Sequence, residues 1–329
     1  MAINIYDKNE QHYVVGDMID HAFINQPLVT ERREKFSFPF GDAELVQIAF
    51  SGICIVYGDV LVKENRLRIR SFDEHDQVEL HFSLRGDGKI ENFITRKKHF
   101  IKSNQHKIFY SPNFDGIAEL ATYTQNKFFE IHFNREKFVD LTSDTSTLLK
   151  RFGDNVMNGR PVELAPQNLS ISLAMHSCIN DIMHCDFTGG LKLLFLQSKC
   201  IELLALQAKA FITAAGDTGK AAIKSDYDRE RIYFAREYLI KNMTNPPSLT
   251  QLAQAAGINE FKLKQGFKET FKHTVFGYLS DYKLMLAKDL LSDKTKDIKH
   301  IAHELGYSSV QHFSTAFAKK FGVSPGKSR

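Results

Sequence analysis

The C-terminal third of this chain contains the same short pattern twice, and this repeat limits the possible folds more than any other feature. Each copy has apolar residues at helical spacing, then a glycine, then a polar residue at which a second helix is predicted to begin; the copies occupy residues 249–267 and 298–317. Helix, glycine turn and helix are typical of a helix-turn-helix, whose second helix enters the major groove of DNA. A single copy is also compatible with an ordinary helical hairpin, whereas two copies in tandem favour a DNA reader.

In the first copy, Ser248 is placed to cap the first helix, and Gly257 can take the positive φ that a tight turn requires. Leu263 and Phe267 are predicted to face the core, which directs other side chains of this helix outward. Asn259 is predicted to cap the second helix. Lysine and glutamine suit phosphates and base edges, and an exposed phenylalanine can contact a thymine methyl group. The candidate DNA-binding residues of this copy are Asn259, Phe261, Lys264, Gln265 and Lys268.

The second copy repeats this arrangement with Gly306 at the turn and Ser308 as the predicted cap of the following helix. Phe313 and Phe317 are predicted to pack inward. His312 lies next to Phe313 and is compatible with contact to a phosphate or to the core. The candidate DNA-binding residues of this copy are Val310, Gln311, His312, Ser314, Thr315, Lys319 and Lys320.

Between the two copies, residues 278–293 are apolar at helical spacing, with Leu279, Tyr282, Leu286 and Leu290 on one side. This pattern predicts a helix of about 24 Å. A rigid helix of that length suits two recognition helices placed about 34 Å apart, which is one turn of DNA.

The positive charge of the chain lies in its C-terminal part. Residues 226–329 contain 17 Lys and Arg against 11 Asp and Glu, whereas the rest contains 26 against 28, and the formal net charge of the whole is +4. Excess positive charge confined to the repeated region suits contact with phosphates, although a solvated charged face would have the same composition.

Other features narrow the class of protein. A chain of 329 residues predicts two domains. We find no apolar stretch of membrane-spanning length and no signal-peptide pattern at the start. The four cysteines, Cys54, Cys178, Cys185 and Cys200, have no zinc or redox spacing. They are interpreted as buried thiols, and the predicted location is the cytoplasm.

The N-terminal part is predicted to be rich in strands. Residues of about 45–133 alternate apolar and polar with period two, as in 78–84 and 129–133, and helical spacing follows over about 135–212. The apolar helix around 191–205 suits either a core helix or a dimerisation helix. The predicted organisation is α+β, with a domain over 1–212, a small and polar linker over 213–225 and the basic all-α domain over 226–329.

Residues 248–325 resemble the AraC/XylS family of bacterial transcription regulators. The resemblance lies in the blocks 248–257, 263–267, 282–291 and 298–325, of which the last is the most specific. It implies recognition helices at 259–271 and 309–321. The sequence departs from the family pattern at Lys283, where arginine is usual, and at Ser328, where tyrosine is usual. We expect these departures to weaken packing near the C-terminus and to leave the function intact.

The family resemblance also implies a function for the N-terminal domain. It implies a sensing and dimerisation domain built on a cupin-like barrel, and the region from Val78 to Phe133 is similar to the branch that senses iron–siderophore complexes. The expected partners are promoter DNA, RNA polymerase, a small-molecule effector and a second copy of the chain. The expected role is an activator with no catalytic residues, and the effector-binding residues are not identified. The alternative function among DNA-binding proteins is one that responds to no effector.

A metal enzyme fused to a DNA-binding domain is the alternative from another class. Histidines occur through the strand region at His75, His81, His99, His106 and His132, but without the His-x-His of cupin enzymes. His81 and His132 alternate with apolar residues, which places them outside the core if those residues line it. The sequence thus predicts no metal ligands and no cofactor.

Overall fold

The computed structural model describes residues 2–6, 11–17, 24–63, 66–71, 77–120, 122–123, 125–216, 226–292 and 296–328. The chain divides into two compact units. The first comprises Met1–Ile171 and Cys185–Ala214, and the second comprises Ser172–His184 and Ala215–Arg329. The segment Ser172–His184 thus joins the C-terminal unit, although the predicted organisation assigns it to the N-terminal domain. His75 and most of the predicted linker lie outside the described residues.

The strands of the first unit form two antiparallel sheets. The first sheet has the order β2-β1-β6-β11-β8-β9, and the second has the order β13-β10-β7-β12-β5-β4-β3, with β14 also paired to β10. The strands of the first sheet are β1 (Ala2–Tyr6), β2 (His12–Asp17), β6 (Arg66–Ser71), β8 (Gly88–Asn92), β9 (Lys97–Ile101) and β11 (Phe114–Leu120). Those of the second are β3 (Thr30–Phe38), β4 (Gly41–Phe50), β5 (Ile53–Val62), β7 (Gln77–Arg85), β10 (Gln105–Tyr110), β12 (Gln125–Asn134), β13 (Val162–Glu163) and β14 (Leu169–Ser170).

Both sheets are open, which corrects the expectation of a closed cupin-like barrel. Within the described residues, β2 and β9 are the edges of the first sheet and β3 is one edge of the second. Period-two alternation identifies a strand, but closure depends on which strands pair, and alternation carries no information on that. Strands also occur before residue 45, where the sequence pattern did not indicate them. The edge strand β3 is mostly charged and exposed, which is a common protection of a sheet edge, so most of it lacks the apolar residues by which a strand is recognised.

The second sheet is buried on both faces at its centre. On β5, Ile53 and Ile55 face one side, Cys54 and Val56 face the other, and all four are fully buried. Strands covered on both sides cannot be divided into a core side and a solvent side from their sequence alone.

The described helices of the first unit are α1 (Arg135–Thr142), α2 (Thr147–Met157) and α4 (Gly189–Gly216). Phe138 of α1 contacts the rings of Phe133 on β12 and Phe152 on α2. The long helix α4 meets the sheet through Gln207, whose Nε2 lies 3.0 Å from Nδ1 of the buried His106. Leu191 and Leu194 on another part of α4 are exposed, so this helix has both a core face and an uncovered apolar surface.

The second unit is all-α. Its helices are α3 (Leu173–Met183), α5 (Asp226–Lys241), α6 (Leu249–Ala256), α7 (Glu260–Phe271), α8 (Val275–Ser292), α9 (Ile298–Glu304) and α10 (Val310–Phe321), followed by a 3₁₀ turn at Pro325–Lys327. Helix α8 has 18 residues and is therefore about 27 Å long, slightly longer than predicted. No described helix is both long enough and apolar enough to span a membrane.

Each repeated copy has its own core in the second unit. Leu252, Leu263 and Phe267 form the first core with the start of α8, and Ile301, Phe313 and Phe317 form the second with its later part. Helix α3 packs on α8, where Nζ of Lys288 lies 2.6 Å from Oδ1 of Asp181. These contacts explain why the segment belongs to this unit.

Candidate nucleic-acid interface

The first repeated copy is a helix-turn-helix with the predicted caps. Ser248 accepts a hydrogen bond from the Gln251 backbone N–H at 3.2 Å, and the Gln251 side chain accepts one from the Ser248 N–H at 2.9 Å. This reciprocal pair is a capping box. Gly257 has φ +66 at the turn, and Asn259 accepts from the Lys262 N–H at 2.8 Å. The predicted roles of Ser248, Gly257 and Asn259 in the fold are confirmed.

The second helix of this copy, α7, presents the predicted outward face. Leu263 and Phe267 are fully buried, while Phe261 is 72% exposed. Lys264 and Lys268 are also exposed, and Gln265 is half-buried. Positions 261, 264, 265 and 268 lie on one side of a helix, so their side chains form a continuous surface.

Two carboxylates of α7 hold two of these candidate side chains. Nζ of Lys264 lies 3.2 Å from Oε2 of Glu260, and Nε2 of Gln265 donates to Oε1 of Glu269 at 2.9 Å. Thr250 of α6 also donates to Glu260, at 2.7 Å. The hydrogen bonds from Thr250 and Lys264 lower the pKa of Glu260, so it is ionised at neutral pH. Our sequence analysis missed Glu260 and Glu269, although their spacing of four residues from the candidates is a usable signal.

The second copy is also a helix-turn-helix, with one correction to its cap. Gly306 has φ +69, and a Cβ atom there would lie 2.6 Å from Cα of Thr244. Ser309, not Ser308, caps α10, because its hydroxyl accepts from the His312 N–H at 3.1 Å. The helix begins one residue later than predicted, so the cap moves with it. Oγ of Ser308 instead lies 2.9 Å from Nδ1 of His312.

The outward face of α10 is as predicted. Phe313 and Phe317 are fully buried. His312 is exposed rather than directed into the core, and Ser314 is half-buried. The remaining candidates, all exposed, are Val310, Gln311, Thr315, Lys319 and Lys320.

Asp281 of α8 connects the ends of the two recognition helices. Nζ of Lys320, near the end of α10, lies 2.8 Å from Oδ2 of Asp281. Nε2 of His273, just after α7, lies 3.3 Å from the same oxygen. Lys320 therefore has a carboxylate partner within the unit, whereas Lys319 makes no ion pair with the described part of the chain.

Lys283, one of the departures from the family pattern, is buried beside an aromatic ring. Its Nζ lies 5.5 Å from the ring centre of Tyr307, and burial lowers the pKa of the amine. A cation above an aromatic face gains electrostatic attraction, which offsets part of the cost of burying Lys283.

The histidines of the strand unit are placed differently from our prediction. The side chains of His81 and His132 are only 15% and 8% exposed, because the face of the sheet that carries them is also covered. His106, on the opposite face, is buried beside Gln207, and His99 is half-buried with its Nε2 3.3 Å from Oε1 of Glu163.

His81 and His132 form a cluster with Glu79 and Glu130. Nδ1 of His81 lies 2.9 Å from Oε1 of Glu130 and 3.3 Å from Oε1 of Glu79, and Nε2 of His132 lies 3.3 Å from Oε2 of Glu130. Burial alone would lower the pKa of His81, but hydrogen bonds to Glu130 and Glu79 outweigh it and raise the pKa to about 10. Burial likewise opposes ionisation of Glu130, but hydrogen bonds from His132 and His81 lower its pKa to about 2.

The sequence analysis missed the two glutamates of this cluster. The available signal is the repeated Glu-x-His pattern at 79–81 and 130–132, where each glutamate precedes its histidine by two residues. On paired neighbouring strands, this spacing brings all four side chains to one face of the sheet.

Comparison with known proteins identifies the family. Residues 40–223 match the family described as the regulatory protein PchR N-terminal domain, and residues 252–329 match the family described as a helix-turn-helix domain. The first match covers more than half of the chain. The chain belongs to the AraC family of regulators, in the branch with a PchR-type N-terminal domain.

Among curated relatives, the regulatory protein PchR of Pseudomonas aeruginosa is 37% identical over 125 residues, which cover 38% of this chain and 42% of the relative. The HTH-type transcriptional regulator GlxA of Rhizobium meliloti is 28% identical over 158 residues, covering 47% of this chain and 45% of the relative. This chain thus spans less than half the length of these relatives. The structure of an apo variant of ToxT from Vibrio cholerae is 15% identical and covers 84% of this chain and 96% of its own, with a TM-score of 0.36.

Proposed function

We propose that this protein is a sequence-specific DNA-binding transcription regulator in which both recognition helices, α7 and α10, contact DNA. The observation that carries the proposal is the pair of complete helix-turn-helix motifs within one unit, joined by α8. Their outward faces carry lysine, glutamine, serine and threonine, which suit phosphates and base edges. The excess of positive charge in residues 226–329 supports the same function. The curated relatives are regulators, which supports a non-enzymatic role.

The N-terminal unit is the proposed sensor of a small-molecule effector. Its match to the PchR N-terminal domain supports this role and makes iron–siderophore complexes the first effectors to test. The exposed Leu191 and Leu194 of α4 support a contribution of this helix to a homodimer. We further propose that the protein acts in the cytoplasm as an activator and contacts RNA polymerase.

Capture of genomic DNA fragments by the purified full chain tests the DNA-binding proposal. We expect the enriched fragments to share a motif whose two halves are about 10 base pairs apart, because two recognition helices on one face of DNA meet successive major grooves. Enrichment without a shared sequence would contradict sequence-specific regulation and favour an architectural DNA-binding protein.

The effector proposal is tested on the same DNA. Binding of the full chain to a captured site is measured with a ferric siderophore, with the iron-free siderophore and without either. We expect only the iron complex to change the affinity. Unchanged affinity in all three conditions would contradict an iron–siderophore effector and leave the DNA-binding proposal intact.

A further inference from the structure

We propose that Glu79, His81, Glu130 and His132 form a binding site for one divalent transition-metal ion in the strand unit. This inference is independent of the proposed DNA-binding function, because it concerns another unit and is tested without DNA.

The pairing of β7 with β12 creates the site. In the register of these antiparallel strands, Glu130 lies opposite His81 and His132 lies opposite Glu79. Each carboxylate therefore has an imidazole across from it and another two residues along its own strand. Side chains directly opposite on neighbouring strands are close enough for their terminal atoms to converge on one point.

The distances between the donor atoms suit a common ion. Metal bonds to imidazole nitrogen and carboxylate oxygen are about 2.1 Å, which places neighbouring ligand atoms about 3.0–3.4 Å apart in octahedral and tetrahedral centres. The three contacts in the cluster measure 2.9, 3.3 and 3.3 Å. One donor atom each of Glu79, His81 and Glu130 lies within 4.8 Å of the other two. Opposite ligands of an octahedral ion are about 4.2 Å apart, so these three residues need only a small contraction. His132 contacts Oε2 of Glu130, whereas His81 contacts Oε1, so His132 must also shift to join the other three at one ion.

The surroundings also favour an ion over a solvated group of charges. Two carboxylates share a largely covered face with the buried Cys54 and Val56, and such charges need a close positive partner. Gln77 belongs to the same face of β7, is 7% exposed, and its Oε1 has no hydrogen-bond partner among the described residues. This unsatisfied buried oxygen belongs to the residue two positions before Glu79 on the same face, is costly when left without a partner, and suits a site that receives a cation with its bound water.

The donor set indicates the class of ion. Two imidazoles with two carboxylates suit Zn²⁺, Fe²⁺, Co²⁺ or Mn²⁺, whereas Ca²⁺ and Mg²⁺ prefer oxygen ligands alone. The rival explanation is a protonated His81 held between two carboxylates with no metal.

Titration of the chelator-treated full chain with Co²⁺ tests the proposal, because bound Co²⁺ has visible absorption bands that depend on its ligands. We expect one bound ion per chain. His81→Gln and Glu130→Gln are each expected to weaken binding by at least about 100-fold, since loss of a direct ligand exceeds the effect of an outer-sphere partner.

His99→Gln is the matched control, because His99 also lies beside a glutamate, Glu163, but the Nζ of Lys107 already contacts that carboxylate at 2.7 Å. This variant is expected to bind Co²⁺ like the unaltered chain. Equal binding by His81→Gln and the unaltered chain would overturn the proposal, as would the absence of any stoichiometric binding.

A second measurement needs no variant and therefore does not depend on whether the altered chains fold. X-ray absorption of the Zn²⁺-loaded protein is expected to show nitrogen and oxygen neighbours with imidazole scattering and no sulfur. A zinc–sulfur distance of about 2.3 Å would place the ion at a cysteine and overturn the assignment.

Discussion

Glu260 contacts Lys264 on the first recognition helix, with Nζ and Oε2 3.2 Å apart. A carboxylate thus lies one turn before a side chain that is proposed to contact DNA, on the same helix. The pair is largely exposed, so it adds little to stability. Its consequence is for DNA affinity, because a negative charge near phosphates opposes binding.

Replacement of Glu260 by Gln is expected to tighten DNA binding several-fold at low salt, because it removes repulsion of phosphate and leaves Lys264 without its carboxylate partner. Fluorescence anisotropy with one captured DNA site measures the effect, and the gain is expected to shrink as the salt concentration rises. Unchanged or weaker binding at low salt would argue against a position of α7 near the phosphates. Glu304→Gln is the control, since this glutamate lies on α9, outside both recognition helices.

Lys264→Ala and Gln265→Ala are expected to reduce discrimination between the captured site and a mismatched site by about 1–3 kcal/mol for each lost base contact. The reason is that both side chains lie on the outward face of α7 beside the exposed Phe261. Competition binding with matched and mismatched DNA gives the ratio directly. An equal loss of affinity for both DNAs would instead mean that these residues contact the phosphate backbone.

Lys319→Ala is expected to weaken all DNA similarly and to flatten the dependence of affinity on salt by about one counterion. Lys320→Ala is expected to have the same character but a smaller effect, because Asp281 already lies 2.8 Å from its Nζ. Salt titrations of the two variants make the comparison. If Lys320 leaves Asp281 to bind a phosphate and Lys319 contacts no phosphate, Lys320→Ala will instead have the larger effect on affinity.

Gly306→Ala is expected to destabilise the second unit by about 2–4 kcal/mol, since alanine strains a positive φ and its Cβ meets the backbone of Thr244. Gly322→Ala is the matched comparison, because φ is +76 there and nothing lies within 4 Å of the added atom. It should cost only about 1–2 kcal/mol for the conformation itself. Denaturant unfolding measures both, and equal losses would mean that residue 306 has room for a side chain.

The stability of the strand unit is expected to fall as the pH decreases from about 6.5 towards 3. Burial lowers the pKa of His106 to about 3, so in this window the unfolded chain takes up a proton at His106 that the folded chain does not. The slope contributed by this histidine is at most about 1.4 kcal/mol per pH unit. Unfolding of the unaltered chain and of His106→Gln across this range isolates the contribution. If the free energy of unfolding changes equally with pH in the unaltered chain and in His106→Gln, His106 is already protonated in the folded state.

The sequence predicted the helix-turn-helix units closely because their determinants are local. Glycine at the turn, a capping residue and apolar spacing act within a few residues, as Gly257 and Asn259 illustrate. The one error there, Ser308 for Ser309, is a shift of a single position between two adjacent serines.

The strand unit was predicted less well because its determinants are distant in the chain. An open sheet and a closed barrel have the same alternation, and only the pairing of remote strands distinguishes them. For the same reason, His81 and His132 were predicted to lie outside the core, since the elements that cover them and the neighbouring Glu79 and Glu130 lie elsewhere in the sequence. The proposed metal site, which the sequence analysis did not predict, depends on that coverage.

Helix α3 packs in the second unit although the chain before and after it belongs to the first. The polypeptide therefore passes between the units three times, near residues 171, 184 and 214. A single proteolytic cut between α4 and α5 would not release a complete DNA-binding part, because α3 would stay covalently tied to the strand unit while packed against α8. A fragment that starts at residue 226 lacks the carboxylate that Lys288 contacts and leaves the α3-facing side of Tyr282 uncovered, so shortened forms of this protein are expected to be less stable than the whole.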